Sequence, residues 1–306
     1  MFDMKKSIDL VSVIIVVKND RGIADTLEAI RRTVKVPYET IVVDNSRPEV
    51  LADIKANNPW VKWDQFPVSK LRTTPAQRNR GLELASGDLI VFIDANCVPV
   101  DGWMDAIVET INSGEDIVCG PVLDLSDNNL VHYAPTLTSG KYIDVCTTVN
   151  VGLRRQVIER IGNFDCSFSF GQDVDFFWRA ADAGFKIYFN PRVAISHDWG
   201  QTKEQVRRAY DYGKARAHLF KKHWRNRRHE LAHESHVWIY PLYILGLPLT
   251  YFVPVYPLLI LVPLIKNRSA NPVGLVVHHL AYGVGVIAGT AKVWSKDQTS
   301  GSAQPL

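Results

Sequence analysis

The apolar run Leu89-Ile90-Val91-Phe92-Ile93 ends abruptly in Asp94-Ala95-Asn96. Read as a buried parallel strand, the run delivers Asp94 and Asn96 to the carboxyl edge of an open α/β sheet, where ligands bind. A carboxylate and an amide oxygen on alternate residues can face one hard divalent cation, and such a cation usually joins a protein carboxylate to substrate phosphates. The chemistry this suggests is a metal–diphosphate site. A second reading stays open on these residues alone: a strand-to-helix turn in which Asp and Asn cap backbone groups.

The elements that would position this cluster alternate through about residue 122. Strands are expected at Val11–Val17, Thr40–Val43, near Val61–Trp63 and at Leu89–Ile93. Helices are expected from Ile23 to Arg32, from about Glu49, and from Pro75 to Ala85. Alternation of this kind is a doubly wound α/β signature. After Gly120-Pro121 the rhythm becomes irregular. A mixed half follows, with a strand near Tyr142–Val151, a helix opening at Leu153, and a helix from Gln172 to Ala183 closed by Gly184. Strands are expected around Phe185–Phe189 and Val193–Ser196.

From Lys203 to Arg228 the chain reads as a basic helix, and Val237–Ile265 then runs without a charged residue. The second stretch is long enough to cross a bilayer core of about 30 Å. Pro241, Pro248, Pro254, Pro257 and Pro263 interrupt it, so a straight spanning helix is not expected. Val273–Ala291 carries His278, His279 and several glycines and reads as a weak span. Re-entrant or interfacial helices beside anionic headgroups, and a buried subunit interface, are the alternatives. The polar tail Ser295–Leu306 is expected to be disordered.

The chain of 306 residues can bury a full core, and a formal net charge of +3 does not argue for nucleic acid. Cys97, Cys119, Cys146 and Cys166 form no CxxC pair, so neither a zinc cluster nor a disulfide framework is expected. The opening residues lead straight into the first strand. No secretory signal is read there, and a cytosolic catalytic part is expected.

Four further clusters accompany Asp94-Ala95-Asn96 in a fixed order: Val11 to Asp20, Ile41-Val42-Val43-Asp44-Asn45-Ser46, Ala76 to Leu82 with Ala85-Ser86-Gly87-Asp88, and the set Thr148 to Arg155, Ile161 to Asp165 and Gly171 to Arg179. Together they resemble the inverting family-two glycosyltransferases of the GT-A fold, of the bacterial and archaeal cell-envelope glycan type. The resemblance covers about residues 8–225. It implies an α/β GT-A domain with a nucleotide-sugar-binding half (1–122) and an acceptor half with the basic helix (123–230); composition adds the apolar membrane-associated or re-entrant helices (231–294) and the tail (295–306).

It also implies roles. Asp173 matches the family's catalytic base, which takes the proton of the acceptor hydroxyl opposite the leaving group. Val17, Asn19, Asp44, Arg78, Asp94 and Ala95 fall at donor-binding positions; Asn150, Gln172 and Trp199 fall on the acceptor side. Asp94, Asn96 and His197 would hold Mn²⁺ or Mg²⁺. Gln172 stands where a Glu is commoner, and Asn96 where a second Asp is usual. The expected enzyme moves a hexose from a nucleoside diphosphate sugar, a UDP-sugar first, to a lipid-linked saccharide or other envelope glycan. It would work at an anionic membrane surface on the cytoplasmic face, as a monomer or homo-oligomer. Two rivals stand beside it: a polyprenyl-phosphate glycosyltransferase, and a non-catalytic nucleotide-sugar binder.

Overall fold

The computed structural model describes residues 7–66, 73–124, 140–198, 201–262 and 271–300. An eight-stranded mixed sheet organises the N-terminal unit, in the order β3-β2-β1-β4-β9-β6-β10-β8. Its strands are β1 (Val11–Val17), β2 (Tyr38–Asp44), β3 (Lys62–Gln65), β4 (Leu89–Ile93), β6 (Ile117–Cys119), β8 (Lys141–Ile143), β9 (Asn150–Arg154) and β10 (Ile187–Phe189). Three short strands, β5 (Cys97–Pro99), β7 (Val122–Asp124) and β11 (Ile195–His197), form a second sheet in the order β5-β11-β7.

Alternation of side chains along buried strands makes two cores from one sheet. Val11, Val13, Ile15 and Val17 of β1 join Leu89, Val91 and Ile93 of β4 on one face. There they meet α1 (Ile23–Thr33) through Ile23, Leu27 and Ile30, and α4 (Trp103–Asn112) through Trp103, Ile107 and Ile111. Ile14, Ile90 and Phe92 face the other way, toward Val157 of α5 (Arg155–Ile161) and Phe176 and Phe177 of α6 (Gln172–Asp182). On that face α3 (Thr74–Leu84) lies so close that a Cβ on Gly81 would come within 2.4 Å of Ile14 Cγ2. The helix α2 (Ala52–Asn57) completes the β2–β3 crossover. Ser12 is tolerated in β1 because its hydroxyl donates to Glu39 at 2.6 Å and accepts from the Gly87 N–H at 2.8 Å.

Two expectations are corrected here. β4 is parallel to β1, yet its other edge pairs antiparallel with β9, Ile93 opposite Asn150 and Leu89 opposite Arg154. The single strand expected near 142–151 is two strands, and Leu153 lies inside β9 instead of opening a helix, which starts at Arg155. A five-residue run buried at every position carries no period of its own, so its neighbours in space assign it.

The C-terminal unit begins at Trp199 and takes the basic helix with it. It contains α7 (Thr202–His233), α8 (Ser235–Leu245), two 3₁₀ segments at Leu247–Tyr251 and Tyr256–Leu261, and α9 (Pro272–Ser300). The proline-rich stretch does not form a straight spanning helix, as expected. The continuous helix is α9, and among the described residues Pro272–Val293 is the one segment long and apolar enough to cross a bilayer. Its glycines serve close packing: a Cβ on Gly285 would lie 2.1 Å from the Tyr210 carbonyl, and one on Gly289 2.6 Å from that of Lys214. α9 continues to Ser300 through the first part of the segment expected to be disordered; residues 301–306 lie outside the described residues.

Candidate active site

Three charged side chains from three elements converge at the carboxyl edge of β4. Asp94 follows the strand directly, and its Oδ1 accepts from Arg78 Nη2 of α3 at 3.3 Å. The Arg78 guanidinium lies over the Phe164 ring, 5.9 Å from its centroid. Phe164 is stacked on Phe176 of α6 at 4.3 Å and held at its backbone by both ends of the Asn79 amide, each bond 2.9 Å. The ring that positions Arg78 is therefore fixed by α3 and α6 together. Arg78 Nη1 is buried with no hydrogen-bond partner. Orphaned buried donors are uncommon in folded proteins, and a guanidinium with one nitrogen on a carboxylate and another unpaired is suited to phosphate oxygens.

Asp173 is the third member, in the first turn of α6. The helix starts from Gly171 at φ 73°, a left-handed conformation that glycine adopts without a Cβ penalty. Asp173 Oδ1 accepts from the Val174 N–H at 2.9 Å. Burial pushes its carboxyl above the ordinary carboxylate value, the Arg78 guanidinium pulls it back down, and the negative charge of Asp94 adds to the rise. A carboxylate with a raised pKa, set at a helix start and facing an arginine, is a fitting general base. Beside it Gln172 is buried, and its Oε1 has no hydrogen-bond partner.

The β4–β5 turn collects the remaining oxygen donors. The Ala95 carbonyl accepts from Thr26 Oγ1 at 2.8 Å, which fixes the turn to α1. Asn96 Nδ2 donates to the Asp198 carbonyl at 3.2 Å, so the oxygen end of the amide is the end left for a cation. A Cβ on Gly22 would sit 3.1 Å from Asn96 Cβ, so the β1–α1 turn closes on this corner. His197, buried at the end of β11, pairs in register with Cys97. Among the described residues no three His, Cys, Asp or Glu side chains gather as a metal cage. One carboxylate, one amide oxygen and one imidazole suit a cation such as Mg²⁺ or Mn²⁺ that takes its other ligands from phosphate and water.

Several expected residues make bonds within the scaffold. Asn150 is 1% exposed, its Oδ1 accepting from the Trp103 indole at 2.9 Å and its Nδ2 donating to the Val193 carbonyl at 2.7 Å. Asp44 is fully buried, with Oδ1 accepting from the Ser46 N–H and Oδ2 paired with Lys55, both at 2.7 Å. Val17 belongs to the core, its carbonyl occupied by the Asn45 N–H. Asn19, at φ 54°, ties the ends of β1 and β2 together: its N–H donates to Ser46 Oγ at 2.7 Å and its Oδ1 accepts from the Arg47 N–H at 3.0 Å. Trp199 lies outside the described residues. Sequence reasoning missed Phe164 as the platform for Arg78 and Lys55 as the partner of Asp44. It also missed Gln77, which donates to the Val43 carbonyl at 3.2 Å. None of the three carries a local signal.

The profile of Glycosyl transferase family 2 matches residues 12–171, ending one residue before Gln172. Glycosyltransferase AglE of Haloferax volcanii is 28% identical over 232 residues, covering 71% of this chain and 76% of the relative. A Methanococcus voltae protein is 23% identical over 296 residues, 84% of this chain and 89% of its own. Its name is dolichyl N-acetyl-alpha-D-glucosaminyl phosphate 3-beta-D-2,3-diacetamido-2,3-dideoxy-beta-D-glucuronosyltransferase. Among solved structures, the Pyrobaculum calidifontis mannosyltransferase PcManGT, in complex with GDP-Man and Mn²⁺, superimposes with a TM-score of 0.60 at 16% identity, covering 96% of this chain and 89% of that one. GalNAc-T7 with UDP, GalNAc and Mn²⁺ gives a TM-score of 0.55 at 16% identity over 70% of this chain; the match spans about half of that chain (51%). These likenesses are of fold, and the fold is GT-A.

Proposed function

This chain belongs to glycosyl transferase family 2, and from that premise we propose that it is an inverting enzyme moving a hexose from a nucleoside diphosphate sugar to a hydroxyl of a lipid-linked saccharide or other envelope glycan. The observation that carries the reading is the meeting of Arg78, Asp94 and Asp173 at one sheet edge. In inverting transfer the hydroxyl attacks the anomeric carbon from the face opposite the leaving diphosphate. Asp173 takes the hydroxyl proton on that face, while Arg78 meets the diphosphate with its unpaired nitrogen. Asp94, Asn96 and His197 would hold Mn²⁺ or Mg²⁺, which would supply positive charge to the leaving group. Gln172, beside the base, offers its unsatisfied oxygen to an acceptor hydroxyl.

The lipid-linked acceptor and the membrane location rest on the C-terminal unit and on the Methanococcus voltae relative, whose name carries a dolichyl phosphate. The cations of α7 beside the apolar α8 and α9 favour an anionic bilayer surface, in our reading its cytoplasmic face. A screen of UDP-, GDP- and dTDP-sugars for donor hydrolysis, with and without Mn²⁺, tests enzyme class and donor together. Nucleotide binding without hydrolysis or transfer from any donor would leave the protein a binder and sink the proposal.

A further inference from the structure

A large unfilled space lies among α7, α8 and α9 of the C-terminal unit. It is an open cavity of about 820 Å³, walled by Phe220, Trp224, Trp238, Leu242 and Leu245, with Lys221 as its cation. The packing explains why it exists. Gly285 and Gly289 bring α9 into backbone contact with α7 at Tyr210 and Lys214, whereas further along α7 the bulky Phe220 and Trp224 face the small Thr290 and Ala291. Phe220 stacks on Trp224 at 6.0 Å and meets Trp238 edge-on at 5.6 Å, forming one continuous aromatic wall. Leu242 and Leu245 remain 63% and 64% exposed, and Trp238 44%. A concave apolar surface of this size is in the range of small-molecule sites and is costly to leave against water.

Charge identifies the occupant. Lys221 is followed on the same helix by Lys222, Arg225 and Arg228, while α8 contributes no charged residue. Hydrocarbon walls beside a cluster of cations complement a long apolar chain with an anionic phosphate head. We infer that this cavity holds the isoprenoid chain of the lipid-linked acceptor, with its phosphate against Lys221 and the cations that follow it. The inference rests on the lipid-linked acceptor of the proposed function and adds the site that would select it. A chain seated there would make acceptor use depend on lipid length, and leave donor chemistry in the N-terminal unit untouched.

The test uses the full chain in detergent micelles and a long-chain polyprenyl phosphate bearing a photoreactive diazirine near its chain end. Labelling should map by mass spectrometry to 217–245 and 286–293, and unlabelled polyprenyl phosphate should compete far better than phosphatidylglycerol. Thr290→Phe and Ala291→Phe, both at exposed positions of α9, should fill the space without disturbing the core. Each should raise KM for a long-chain acceptor about tenfold or more, leaving a two-isoprene acceptor and donor hydrolysis unchanged. Labelling elsewhere, or unchanged long-chain kinetics in both variants while transfer to lipid-linked acceptors persists, would overturn the cavity assignment and leave the proposed function standing. Equal competition by phosphatidylglycerol would make the occupant bulk lipid and overturn it too. Absence of transfer from wild type to any lipid-linked acceptor removes both readings.

Discussion

Replacing Asp173 by Asn separates catalysis from folding at one atom. The amide keeps the volume of the carboxylate and retains an oxygen to accept from the Val174 N–H, now at 2.9 Å. It loses only the charge and the ability to take a proton. A general base contributes about 10²- to 10⁴-fold in rate, or roughly 3–5 kcal/mol of transition-state stabilisation at about 1.4 kcal/mol per tenfold. Transfer should fall by that factor, measured as kcat/KM for the acceptor, while calorimetric affinity for the nucleoside diphosphate changes less than about threefold. Stability should move the other way. Because burial raises the Asp173 pKa above its ordinary value, the native state holds that proton more tightly than the unfolded chain. The ionised carboxylate is then a cost to the fold above that pKa, and the cost disappears in acid. Asp173→Asn should be at least as stable as wild type at neutral pH, with any gain vanishing as pH falls. The acidic limb of the wild-type kcat/KM profile should lie above the ordinary Asp value of about 3.9. Residual transfer within tenfold of wild type, or a parallel loss of nucleotide affinity, would refute Asp173 as the base.

Arg78→Gln should weaken nucleoside diphosphate binding about 10- to 100-fold, the loss of a charged hydrogen bond of roughly 1.5–3 kcal/mol. It should also move the acidic limb further up, because Arg78 is the charge that pulls Asp173 down; a profile that stays put would uncouple the two residues. Asp94→Ala should abolish the metal-dependent part of nucleotide binding, and wild-type turnover unaffected by EDTA would end the metal reading. Asn150→Ala should cost about 2–4 kcal/mol in denaturant unfolding, since it strands the buried Trp103 indole N–H and the Val193 carbonyl; acceptor KM of the folded variant should not change, and a selective rise would give Asn150 its acceptor-binding role. Full-length protein should float with anionic vesicles at low salt, each surface Lys or Arg adding about 1 kcal/mol, and remain partly bound at high salt through apolar burial. A chain that stays soluble as a stable dimer would make the apolar segments a subunit interface.

Local chemistry was enough to place much of this molecule. The buried runs of β1 and β4, the helical spacing of Ile23, Leu27 and Ile30, and the switch from Ile93 to Asp94 are written in adjacent residues, because hydrophobic period and strand ends depend on near neighbours. The ordered clusters extended that reading to the family. Direction and partnership were not legible. β9 lies antiparallel beside β4, Asn150 and Asp44 turn inward to Trp103 and Lys55, and Phe164 supports Arg78 from a loop more than eighty residues further along the chain. The glycines of α9 looked like weak points of a span until Tyr210 and Lys214 were seen against them. Whether an amide or a carboxylate serves a ligand or the scaffold depends on which distant backbone groups the folded chain brings within hydrogen-bond reach, and no local period encodes that distance.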